Sequence, residues 1–131
     1  MRHHTTLTRA SLFSILLLSF HLADDVVRGF EPGKLSTMIG VGLLAVWLYA
    51  TVALAERRPR YVILLLFSFL ASGVPVIHMT GAGLVGGRIA DSSGMFFWVW
   101  THIALGVTAI VSVMLSARAL WAAPSSDRLA T

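Results

Sequence analysis

The sequence predicts an all-α membrane protein, an antiparallel up-down four-helix transmembrane bundle. Three observations predict it. Of 131 residues, 56% are hydrophobic and 12% charged, about half the charge content of an ordinary soluble domain. The apolar residues collect into four runs close to the roughly 20 residues that cross a bilayer. Basic residues gather at alternating ends of these runs, as expected of short loops on the two sides of a membrane. The whole chain, 1–131, reads as one membrane domain with helices at about 6–27, 35–55, 61–80 and 95–121, and this length holds no separate soluble domain.

The N-terminal MRHHTTLTRA sets Arg2 and Arg9 before the apolar SLFSILLLSF, which is also how a secretory signal begins. A cleavage site needs small residues at the third and first positions before the cut. Ala23 meets that need, but His21 would occupy the other place, so the segment reads as an uncleaved first helix. Its uncharged part, Ala10 to Ala23, covers only about 21 Å of a hydrocarbon layer about 30 Å thick. The helix therefore draws Arg9 in at one end and continues through Asp24 and Asp25 to Val27 at the other.

Pro32-Gly33 marks a turn. Leu35 to Ala55 is a charge-free second span with Ser36, Gly40, Gly42 and Ala45 as places of close helix approach. Arg57, Arg58 and Arg60 surround Pro59 in a short connection that makes helices two and three antiparallel neighbours. Helix three, from Tyr61 to about Thr80, offers Ser68, Ser72 and Gly73 as contact positions, with a kink at Pro75 and His78 one turn beyond.

The glycine-rich stretch 81–94 contains GAGLVG, a match to G-x-G-x-x-G. It follows a membrane span rather than a strand, so it reads as a loop and not as a dinucleotide site. Helix four, Met95 to Trp121, opens with Phe96, Phe97, Trp98 and Trp100, an aromatic set suited to the membrane interface. Thr101, Ala104, Thr108 and Ser112 give it a small, weakly polar face expected to look into the bundle.

Seven arginines, at 2, 9, 57, 58, 60, 118 and 128, fall on one side, against Arg28, Lys34 and Arg88 on the other. This count puts both termini in the cytoplasm, in the cell (inner) membrane. The net charge of +4 is spread along the chain, which speaks against a nucleic-acid partner. The absence of cysteine removes disulfides and thiolate metal sites. No G-x-S-x-G or similar nucleophile motif appears, so a hydrolytic enzyme is not expected.

The stretch HLADDVVRGFEPG carries the chain's most concentrated ionisable groups. His21, Asp24, Asp25 and Arg28 fall at i, i+3, i+4 and i+7, one helix face, and Ser14 extends it inward. In the expected topology His21, His78 and His102 share the outer leaflet, whereas His3 and His4 lie in the cytoplasmic tail. These six residues, His21, Asp24, Asp25, Arg28, His78 and His102, form a candidate polar pocket.

Three readings compete for the pocket. In the first, an aspartate pairs with Arg28 and His21 bonds a neighbouring loop. In the second, His21, Asp24 or Asp25, and His78 hold a divalent metal, since imidazole and carboxylate suit zinc, copper, iron or manganese. In the third, two of His21, His78 and His102 hold haem b. A small transporter is the remaining class, but the middle of the first helix, ILLLSF, lacks the buried carboxylate of four-helix exporters, and a path would need a homo-oligomer.

The stretches HLADDVVRGFEPG, AVWLYATVALAERR and FFWVWTHIALGV together resemble small bacterial four-helix integral membrane proteins that are functionally uncharacterised. The resemblance covers most of the chain and implies the fold and a membrane location, but no catalytic residue. The expected role is that of a multi-pass membrane protein with an outer-leaflet polar pocket, an accessory or interaction subunit. A metal- or haem-binding redox protein is the alternative. Its expected partners are the lipid bilayer and either a second copy or another membrane protein.

Overall fold

A computed structural model describes residues 2–29, 34–54, 57–80 and 94–122; within the helices the side chains of residues 2, 3, 28, 79, 80 and 95 lie outside the description. The described residues form four helices: α1 (Arg2–Arg28), α2 (Lys34–Val52), α3 (Arg58–Thr80) and α4 (Met95–Ala122). Each is long and apolar enough to cross a membrane. The turn at Pro32-Gly33, the glycine-rich stretch up to residue 93 and the tail from residue 123 fall outside the described residues.

Three boundaries differ from expectation. α1 starts at Arg2, so His4 is a helical residue rather than part of a tail. The Thr8 hydroxyl donates to the His4 carbonyl at 2.9 Å, which helps to hold that first turn together. α2 ends at Val52, three residues early. α3 begins at Arg58, placing Pro59 in its first turn. A proline is tolerated there because its missing N–H would have no intrahelical acceptor.

At its other end α1 runs through both aspartates to Arg28, extending the short apolar run as its length demands. It stops at Gly29, whose φ of 72° is a left-handed conformation that glycine adopts without steric cost.

Contacts between helices give the topology. Ser11 meets Thr51 and Leu22 meets Gly40, so α1 and α2 are antiparallel. His4 meets Tyr61 and His21 meets His78, which makes α1 and α3 parallel in a constant register. Ser14 meets Thr108, setting α4 antiparallel to α1. α4 packs on α1 and α3; α2 flanks those two and does not meet α4 among the described residues.

Two glycines permit the closest approaches. A Cβ at Gly40 would lie 3.2 Å from Leu22, and one at Gly106 would lie 3.2 Å from the Pro75 ring. Gly42 and Gly73 have nothing within 4 Å of such an atom, so neither of these expected contact positions is a close approach of the kind seen at Gly40 and Gly106.

Large apolar side chains such as Phe13, Leu35, Met38, Phe69 and Ile77 point outward, as suits a molecule whose solvent is lipid. Serine and threonine occupy much of the interior: Ser11, Ser14, Thr51, Ser68, Thr101, Ser112 and Ser116 are buried. Most satisfy their hydroxyls on their own helix. Thr51 donates to the Trp47 carbonyl at 2.8 Å, Thr108 to that of Ala104 at 3.0 Å and Ser112 to that of Thr108 at 3.0 Å. Thr51 having spent its proton, Ser11 is the donor in their 2.8 Å contact. Such interhelical bonds contribute about 0.6 kcal/mol on average. Ser11→Ala is accordingly expected to lower unfolding free energy by about that amount, measurable by denaturant titration in mixed micelles.

Candidate metal centre

At the end of the bundle where α1 and α3 finish and α4 begins, three histidines converge. His21 and Asp25 are one turn apart on the buried face of α1, at 6% and 7% exposure. His78 follows one turn after the Pro75 that abuts Gly106. His102 is on the second turn of α4, one turn after Trp98, and is 1% exposed.

One ring nitrogen from each histidine lies within 4.8 Å of one from each of the others. The tightest pair is His21 Nε2 and His78 Nε2 at 3.2 Å, and His21 Nε2 also stands 3.2 Å from Asp25 Oδ2. A single His21 proton can be directed at the carboxylate or at His78, but not fully at both.

His102 is fixed by its own helix. Its Nδ1 lies 2.7 Å from the Trp98 carbonyl, and because a carbonyl only accepts, Nδ1 carries the proton. The neutral ring then has a bare lone pair on Nε2, an atom sealed from the surface and without a hydrogen-bond partner. Imidazole held at one nitrogen by a backbone carbonyl, with the other left open, is the usual arrangement of a metal-ligating histidine. The Trp98 ring lies against His102 at a centroid distance of 3.9 Å and faces His78 at 5.8 Å, shielding the cluster on one side.

The donor set fits a divalent cation. Two ligands about 2.0–2.1 Å from a tetrahedral zinc stand about 3.3 Å apart, close to the 3.2 Å separations of His21 from His78 and from Asp25. Three imidazoles and one carboxylate are a borderline-to-hard set suited to zinc or copper(II). Haem fits poorly. Its porphyrin needs a flat slot between two axial rings, whereas these rings meet edge to face with centroids 4.3, 4.7 and 5.1 Å apart.

Of the six pocket residues expected from sequence, His21, His78 and His102 come together, and Asp25 joins them through its 3.2 Å contact with His21 Nε2. Asp24 is half-buried on the neighbouring face of α1 and is not part of the histidine cluster. The Arg28 side chain lies outside the described residues. His102, expected as a haem ligand and not in the metal set, is one of the three converging histidines. Trp98 was expected in an interfacial aromatic set, yet it is 2% exposed, while Phe96 and Trp100 point outward. The W-x-x-x-H spacing, which brings the indole against the imidazole one turn later, is the signal that could have found it.

No protein-family model, no curated protein and no solved structure matches this chain.

Proposed function

We propose that this chain is a membrane-embedded binding protein for a divalent transition metal, zinc or copper(II), held by His21, His78, His102 and Asp25. The observation that carries the reading is the convergence of three imidazoles from three helices within 4.8 Å, one of them with its open nitrogen buried and unpartnered. A buried polar atom without a partner costs about 1–3 kcal/mol, a cost that a bound cation removes. The ion's charge would also offset the Asp25 carboxylate in a low-dielectric setting.

The reading favours holding over conduction. Between His102 and Thr108 the buried position on α4 is Leu105, and the half-buried Leu17 and Leu18 of α1 pack against the core. This apolar layer separates the histidines from the hydroxyl-rich remainder of the interior.

The arginine distribution orients both termini to the cytoplasm and the metal centre to the outer side of the cell membrane. Arg57→Cys in this cysteine-free chain is expected to react with a membrane-impermeant maleimide only after the cells are opened. Reaction in intact cells would reverse the orientation.

The binding test uses the tryptophan beside the site. Titrating the detergent-purified protein with copper(II) is expected to quench fluorescence to a one-to-one endpoint, with most of the quench lost in Trp98→Phe. That variant keeps all four ligands and removes an indole N–H that has no acceptor. Binding weakens on acidification, because imidazole ligates only when neutral. A quench without a stoichiometric endpoint, or one unchanged in Trp98→Phe, would count against the site.

A further inference from the structure

The opposite end of the bundle carries a second cluster, centred on a buried cation. Arg60, in the first turn of α3, is 7% exposed. Its Nη2 donates to the Thr8 hydroxyl at 2.6 Å and to the Thr51 carbonyl at 3.1 Å. Both acceptors are neutral. The Thr51 carbonyl belongs to the last turn of α2 and contributes part of that helix's negative pole, well short of a full charge.

The rest of the guanidinium makes no hydrogen bond among the described residues. Nε is sealed from the surface with no acceptor. Nη1 makes no bond among the described residues. Among the described residues no carboxylate pairs with Arg60. An unpaired guanidinium at the edge of a low-dielectric layer is costly, and such groups normally meet an anion.

Three features identify the anion. Arg57 and Arg58 are exposed immediately beside Arg60, and the first turn of α3 adds the positive pole of a 23-residue helix. Arg60 is the third residue of its span, the depth at which a bilayer carries its phosphates. A guanidinium with free N–H groups matches the oxygens of a phosphate better than any neutral headgroup.

We propose that Arg60, with Arg57 and Arg58, forms a site for a phosphate-type anion. The source is the phosphodiester of an anionic phospholipid or free phosphate, and the site is independent of the metal-binding reading.

The test is native mass spectrometry of the full-length protein with phosphatidylglycerol or phosphatidylcholine, with and without inorganic phosphate. The expected result is retention of phosphatidylglycerol over phosphatidylcholine, with the preference falling about fivefold for each charge lost in Arg57→Gln/Arg58→Gln. Arg60→Lys is expected to lower it too, since a point charge replaces the fork. If Arg60→Lys does not fold, the exposed double variant carries the test. Displacement of the lipid by inorganic phosphate assigns the site to the phosphate group itself; undisplaced phosphatidylglycerol assigns it to the lipid. Equal retention of both lipids with no phosphate bound, or a preference unchanged in the variants, overturns the proposal.

Discussion

Replacing His102 with alanine is expected to weaken copper(II) or zinc binding by more than the roughly 10–100-fold that loss of a second-shell partner costs. His102 supplies the one ring whose proton position is set by the backbone, through Nδ1 and the Trp98 carbonyl 2.7 Å away. Its other nitrogen is buried and has no hydrogen bond to give up. His21 and His78 first have to give up their mutual 3.2 Å contact. The measurement is competitive titration against a chromogenic chelator, with circular dichroism confirming that the helices persist. Asp24→Asn, next to the proposed ligand Asp25 but outside the cluster, is the control and should bind like the parent chain. An unchanged affinity in His102→Ala would remove α4 from the site.

The second large effect is expected one helical turn away from the proposed ligands. Gly106→Leu should cost about 1–3 kcal/mol of stability through overpacking and lower metal affinity by about 10–100-fold, the range seen when the support of a ligand is lost. A Cβ at this position would already stand 3.2 Å from the Pro75 ring, and a proline ring has no rotamer by which to move away. The added side chain forces α3 from α4 one turn away from both His78 and His102, widening the gap an ion has to bridge. Gly42→Leu makes the matching control: nothing lies within 4 Å of a Cβ there, so it should fold and bind normally. Thermal unfolding followed by fluorescence, together with metal titration of both variants, checks the pair.

These contrasts mark what was legible in the sequence. Four spans follow from run length and composition, and the shared depth of His21, His78 and His102 follows from counting residues along an up-down bundle. Azimuth is different. Asp24 and Asp25 are 100° apart on α1, and only the position of α3 and α4 decides that Asp25 turns inward. The same holds for Trp98, which has the composition of an interfacial belt residue but is drawn in by packing on His102.

The first turn of α1 was missed for another reason. No capping residue announces its start at Arg2, and the tertiary bond between His4 Nδ1 and the Tyr61 hydroxyl at 2.8 Å is invisible to a local reading. In the sequence Arg60 reads as a topology signal, because only its charge is evident there. Its burial against Thr8 and Thr51 depends on how three helices meet.

The central claim is that the fold gathers imidazoles from α1, α3 and α4 around one ion. X-ray absorption spectroscopy of the protein loaded with one equivalent of zinc tests it most directly. The expected spectrum has a first shell of nitrogen and oxygen at about 2.0–2.1 Å with the outer-shell scattering of three imidazoles, reduced to two in His102→Ala. A first shell of oxygen alone, without imidazole scattering, would contradict it.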